Sequence, residues 1–269
     1  MIRYFNRRPQ YHPLAFSSSD ADMTKPTCLP KLASNLKRFP KLAVIIAALV
    51  NKPSLTPTEM LHANIAMVKN FAGLISQVKF RQVIYLSSVD VYGHNKLKLP
   101  LSEVSYLHPE NPYARSKLIS EKILASACRR QKIPITILRL PGVYGPGDKS
   151  NRIIPSILKV IEHGSKLTIK GDGEQRRDLL YVEDIARLCE RIIKLRISGT
   201  FNAVTGKAHS LNEIVRIAET ISRKKLRRKY QPASIKQYDL YFKPSLILKY
   251  LRYFSFTASP EGLRLTMSD

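Results

Sequence analysis

Apolar residues along the chain fall into two alternating rhythms. Ala43-Val-Ile-Ile-Ala-Ala48 is a short unbroken apolar run, the pattern of a strand buried on both faces. Across residues 58–79, Met60, Leu61, Ile65, Val68, Phe71, Ala72 and Ile75 recur at helical spacing and predict an amphipathic helix. Residues 82–87 predict a second strand, 113–131 a long helix and 135–140 a third strand. This alternation predicts an α/β fold: a parallel sheet with right-handed crossovers and helices on both faces. Ligands of such sheets bind beyond the carboxyl ends of the strands, so the chemistry is to be sought there.

After Pro146 glycine, proline and charge alternate through residues 147–152 and 171–178. A helix over 181–195 and a short strand over 199–204 are expected to rejoin the sheet, followed by an amphipathic helix over 211–222. From Phe242 the pattern predicts two short helices separated by residues 255–260. The 269 residues, 44% of them hydrophobic, suffice for one large core, or one large and one small.

Charge adds a weaker signal. The chain carries 45 Lys and Arg against 20 Asp and Glu, a net charge of +25. That balance attracts polyanions and suits a phosphate-rich small substrate. No nucleic-acid motif accompanies it, so nucleic acid is not expected as a partner. The densest run, Arg223-Lys-Lys-Leu-Arg-Arg-Lys229, reads as the solvated end of a helix. Residues 42–50, the best apolar stretch, are about half the roughly 20 needed to cross a bilayer. The basic opening lacks the apolar core of a signal peptide, and a cytoplasmic protein is expected. Cys28, Cys128 and Cys189 are widely spaced and no His pair has metal-ligand spacing, so neither a disulfide framework nor a metal site is expected.

The chemistry-bearing pattern begins with Tyr113-Ala-Arg-Ser-Lys117 at the start of the long helix. Residues four apart share a helix face, so the phenol and the ammonium are neighbours. A nearby cation favours phenolate and suits tyrosine to proton exchange with a substrate hydroxyl. Ser87-Ser-Val-Asp-Val-Tyr-Gly93 closes a buried strand, where a serine hydroxyl is free to bond the same substrate oxygen.

These segments resemble the extended short-chain dehydrogenases, the NAD-dependent epimerase/dehydratase family of nucleotide-sugar epimerases and dehydratases. The resemblance rests on Ser87 to Gly93, Pro112 to Lys117, Leu138 to Gly147, the run from Gly171 to Asp184 and the tail Ser259 to Arg264, in the family's order. It implies a Rossmann-like doubly wound parallel sheet with a smaller C-terminal α/β substrate domain. Residues 1–147 plus 179–204 would form an incomplete dinucleotide-binding domain, and 148–178 plus 205–269 the substrate-binding domain.

The resemblance also implies roles. Ser88 polarises the substrate oxygen, Tyr113 is the general acid/base, and Lys117 binds the nicotinamide ribose and tunes Tyr113. Ala47, Ala48, Asn64, Ser87, Pro141 and Val143 border the cofactor, NAD or NADP. Asp90, Arg152 and Arg177 contact a nucleotide-sugar substrate. A homodimer is expected by analogy. Two departures stand out. Val89-Asp90 replaces the paired carboxylates of a 4,6-dehydratase, so dehydration is not expected. Gly142 stands where family epimerases often carry Asn.

The family's glycine-rich phosphate loop has no counterpart, because no glycine precedes Gly73. Residues 1–8 resemble the family's second strand, so a strand–loop–helix unit is expected to be missing. A start placed too late, a truncated gene, or a chain that has abandoned the cofactor would each explain this; the retained Ser88, Tyr113 and Lys117 favour the first two. Arg7 and Arg8 would then be placed to meet a 2′-phosphate, or be generic basic residues. Two functions follow: an NAD(P)-dependent epimerase or oxidoreductase acting on a UDP- or dTDP-sugar, or a non-catalytic remnant binding an anionic partner through its basic surface.

Overall fold

A computed structural model of the chain describes residues 1–94, 98–233 and 238–268. In chain order the elements are α1 (Ile2–Asn6), α2 (Leu29–Lys37), β1 (Leu42–Ile46), α3 (Pro57–Gln77), β2 (Phe80–Ser88), α4 (Pro112–Arg130) and β3 (Ile135–Leu140). There follow β4 (Gly142–Tyr144), α5 (Ile153–His163), β5 (Leu167–Lys170), β6 (Arg176–Tyr181), α6 (Val182–Leu195) and β7 (Gly199–Asn202). The chain ends with β8 (Ala208–Ser210), α7 (Leu211–Ser222), β9 (Arg228–Gln231) and α8 (Ser259–Met267). Contacts divide it into two compact units: Met1–Gly93, Glu103–Leu140 and Ala186–Asn202 form the first, and His94–Ser102, Pro141–Ile185 and Ala203–Asp269 the second.

The first unit is built on an all-parallel sheet of order β1-β2-β3-β7. β2 lies in the middle and only Arg81 of its nine residues is exposed, as expected of a strand covered on both faces. Its register with β3 runs from Val83↔Ile135 to Ser88↔Leu140, and Ile46 of β1 pairs with Tyr85. The carboxyl ends of these strands therefore bring residues 47–50, 88–90 and 141 to one end of the sheet. Leu32 and Leu36 of α2, Val68, Leu74 and Ile75 of α3, and Leu124 and Cys128 of α4 bury against the strands in one core. Both long helices are capped: Thr56 and Glu59 form a reciprocal capping box before α3, and Asn111 caps α4.

The opening of the chain corrects its sequence reading. Residues 2–6 form a helical turn, not a strand. The turn stacks the Arg8 guanidinium 3.4 Å from the Tyr4 ring centre and lets Arg8 Nη1 donate to the Tyr4 carbonyl at 2.9 Å. In a strand the same two residues would stand about 13 Å apart. Tyr4 Oη also donates to Glu190 on α6 at 2.7 Å, and Arg8 pairs with the same carboxylate at 3.1 Å. Arg8, one of the two arginines considered for a 2′-phosphate, is thus engaged within the fold.

In the second unit β6 pairs in parallel with β4 and antiparallel with β8, while β5 and β9 form a separate parallel pair. Its core joins Tyr144, Ile157, Leu167, Ile169, Val215 and Leu263. The basic run 223–229 follows the end of α7 and is largely solvated, with Arg223, Lys224, Lys225, Arg227 and Lys229 exposed, but it does not continue the helix. α7 stops at Ser222, Arg223 takes a left-handed conformation (φ 56°), and Leu226 turns inward. Glu219 drives this return: its buried carboxylate accepts from Leu226 N at 2.9 Å and from Arg228 at 2.7 Å, so the chain folds back into β9. Among the described residues, no helix is long and apolar enough to cross a membrane.

Candidate active site

β2 ends on Ser88, whose hydroxyl accepts from Asp90 N at 3.2 Å and opens a 3-10 turn over Val89–Tyr92. Val89, Val91 and Tyr92 are buried, so the turn is anchored and Ser88 is held in place, itself only 7% exposed. Gly93 closes the turn at φ 75°, where a Cβ would meet the His108 carbonyl at 2.3 Å; no other residue fits without displacing backbone. The serine-to-glycine motif is therefore a strand end, a cap, a buried turn and an exit.

α4 supplies the other two members of the trio. Asn111 Oδ1 accepts from Ala114 N at 2.8 Å and Pro112 occupies the first turn, which fixes where the helix begins. One turn separates Tyr113, 37% exposed, from Lys117, 6% exposed. The Lys117 ammonium donates to the Leu86 carbonyl at 2.8 Å and stands 5.0 Å from the Tyr85 ring centre and 5.9 Å from that of Tyr113. Burial pushes the Lys117 pKa down to about 8, partly offset by the Glu121 carboxylate. Burial also raises the Tyr85 phenol well above its ordinary value.

Beneath the trio lies a buried polar chain that the motifs did not reveal. Glu121, one turn beyond Lys117, accepts from Ser87 Oγ at 2.5 Å and from Arg139 Nε and Nη2 at 3.1 and 2.8 Å. Arg139 also donates to Tyr92 Oη at 2.9 Å, and Tyr92 donates to Asn202 at 2.8 Å. Ser87, expected to border the cofactor, directs its hydroxyl to Glu121. One signal was available: Arg139 is the charged residue in a strand otherwise made of Ile, Leu and Thr, and a charge buried there requires a partner.

The remaining candidates divide between the units. Ala47 and Ala48 are exposed just beyond β1. Asn64 is buried and holds the backbone of Val50 from both sides, its Oδ1 accepting from Val50 N at 2.8 Å and its Nδ2 donating to Val50 O at 3.0 Å. It therefore shapes the segment after β1. Asp90 is half-buried in the turn. Pro141, Val143, Arg152 and Arg177 belong to the second unit. Arg152 is ion-paired with Asp148 at 3.0 Å. Arg177 donates to the carbonyls of Tyr238 and Arg176 and to Gln175. Its neighbour Asp178 is buried rather than part of a surface cluster; it accepts from Thr205 N at 3.0 Å and Gly206 N at 2.8 Å.

The sequence signature described as "NAD dependent epimerase/dehydratase family" matches residues 4–203. A dTDP-D-glucose 4,6-dehydratase of Dictyostelium discoideum is 32% identical over 138 residues, 47% of this chain and 32% of that protein. The matched stretch is thus about a third of that relative's length. The structure of RMD from Pseudomonas aeruginosa complexed with NADPH superposes with a TM-score of 0.83 at 22% identity, covering 99% of this chain and 93% of that one. A UDP-glucuronic acid 4-epimerase from Bacillus cereus, in complex with UDP-glucuronic acid and NAD, gives 0.78 at 22% identity over 99% and 83%. At such identities the likeness establishes the fold.

Proposed function

The chain belongs to the NAD dependent epimerase/dehydratase family, and on that premise we propose that it acts on a nucleotide sugar as an NAD(P)-dependent epimerase or oxidoreductase. The observation that supports this reading is the Lys117 ammonium, held 2.8 Å from the carbonyl of Leu86, two residues before Ser88, and 5.9 Å from the Tyr113 ring centre. Tyr113 takes the proton of a substrate hydroxyl at its phenol oxygen and returns it there. Ser88 donates to the same substrate oxygen, and the Lys117 charge favours the phenolate that makes this exchange feasible near neutral pH.

The residues present fit the nicotinamide-ribose end of a dinucleotide. Lys117 offers an ammonium beside a half-exposed tyrosine, and the small side chains of Ala47 and Ala48 leave the end of β1 open. The cradle for its pyrophosphate finds no glycine loop in the first 72 residues. When bound, NAD or NADP would supply the hydride acceptor. Pro141 and Val143 are candidate neighbours of the cofactor, and Asp90, Arg152 and Arg177 candidate contacts for substrate. Val89 is 3% exposed and apolar, which supports epimerase or reductase chemistry over 4,6-dehydration.

Turnover of UDP- and dTDP-sugars with NAD or NADP tests the proposal. Tyr113→Phe is expected to lose 10²-fold or more, about the lower bound for general acid–base catalysis; undiminished turnover overturns the assigned role. Absence of both turnover and dinucleotide binding in a folded chain would favour the non-catalytic reading.

A further inference from the structure

We propose that Glu121 is a positioning residue for this site: clamped between Ser87 and Arg139 one helical turn beyond Lys117, its carboxylate fastens α4 to β2 and serves as the buried counter-charge to the Lys117 ammonium. The inference rests on the catalytic reading of Lys117 and extends it to a residue one turn further along the same helix.

Three consecutive residues of β2 carry the argument. The Leu86 carbonyl accepts from Lys117 at 2.8 Å, the Ser87 hydroxyl donates to Glu121 at 2.5 Å, and Ser88 presents the hydroxyl of the trio. Lys117 and Glu121 thus fasten α4 to β2 at successive positions just before Ser88. Both are nearly inaccessible, at 6% and 5% exposure. Arg139 grips Glu121 with two nitrogens, at 3.1 and 2.8 Å. That fork fixes the carboxylate's orientation as well as its charge.

A carboxylate committed only to Arg139 would make a self-sufficient pair. Here Lys117 is a second buried cation one helical turn away, and the Glu121 charge acts on it through the low-dielectric interior. The charged and titratable groups around the ammonium are Tyr85 on β2, Tyr113 and Glu121 on α4, and Arg139 on β3 behind Glu121. Burial lowers the proton affinity of Lys117, and Glu121 is the group that opposes the loss. Without it the ammonium would shed its proton nearer neutral pH, and Tyr113 would lose the charge that favours its phenolate.

The test is a pH titration of Lys117 in the full chain carrying ε-¹³C lysine, followed by NMR and assigned through Lys117→Arg. The wild-type midpoint is expected near 8. Glu121→Gln should lower it by about half a pH unit or more, the direction expected when an opposite charge is removed. An unmoved midpoint in folded Glu121→Gln overturns the proposal, because a purely structural carboxylate would alter stability and leave the midpoint in place. If Glu121→Gln does not fold, Glu121→Asp is read instead: it keeps the charge but draws it back by one methylene, and a drop in the same direction is expected, an unmoved midpoint again overturning the proposal. The titration needs neither cofactor nor substrate, so its outcome is independent of whether the chain turns over a nucleotide sugar.

Discussion

Tyr144 and Gly262 show how much one position can depend on another far away in sequence. Tyr144 is 3% exposed, its ring 5.9 Å from that of Tyr181, and its hydroxyl is buried without a hydrogen-bond partner. A Cβ on Gly262 would meet that oxygen at 2.2 Å and the ring carbon behind it at 3.0 Å. Alanine favours a helix by about 1 kcal/mol over glycine, but the immobilised ring leaves no space to realise the gain. Gly262→Ala is therefore expected to cost about 1–3 kcal/mol of overpacking, measured by urea unfolding. Tyr144→Phe alone should be close to neutral, since it removes a polar group that makes no bond. Combined, the two should recover most of the loss; strict additivity would contradict the contact. Neither residue's constraint is visible locally. The Tyr-Gly-Pro-Gly string around Tyr144 marks a motif, while the need for Gly262 exists only once α8 lies against it.

Among the elements, α4 matters most because Tyr113 and Lys117 ride on its first turns. Asn111 sets its start by accepting from Ala114 N. Asn111→Ala is expected to cost about 1 kcal/mol of stability. Fraying there should also loosen Tyr113, two residues on, and lower kcat more than KM, while Asn111→Asp, still able to cap, should restore both. Equal stability loss with unchanged kcat would show that Tyr113 is held by its surroundings instead. The rhythm of apolar positions located α3 and α4 within a residue or two, because each has a continuous face to bury against the sheet. The resemblance misread residues 2–6 as a strand, where a single turn is decided by Arg8 stacking on Tyr4 and by Glu190 far along the chain. At residues 223–229 composition left only the inward turn of Leu226 unread, because the buried Glu219 draws back its backbone while most of the lysines and arginines stay exposed.

Across the whole molecule, the net charge of +25 is partly absorbed by architecture. A cavity of about 590 Å³ at the amino ends of β1, β2 and β3 is lined by Lys41, Lys79, Arg81, Lys132 and Arg196. It also lies beside the carboxyl ends of α3, α4 and α6, where cations offset the negative end of the helix dipole. That cluster is accounted for by the fold. The remaining positive charges repel one another through solvent and are screened by salt. Raising NaCl from about 0.05 M to about 0.5 M should therefore move the urea midpoint upward; a downward shift would mean that surface ion pairs outweigh the repulsion.

The parallel α/β class and the order of the trio could be read from the chain alone, because strand and helix periods and short motifs are local properties that survive in one dimension. The serine-capped turn before Gly93 belongs to the same category, being a backbone requirement of a few adjacent residues, whereas the need for Gly93 also comes from the distant His108 carbonyl. The support beneath the trio could not be read in that way. Glu121, Arg139, Tyr92 and Asn202 come from a helix, two strands and a turn, and nothing in their spacing links them. Only packing removed them from water together, and burial is what makes each polar group require the next.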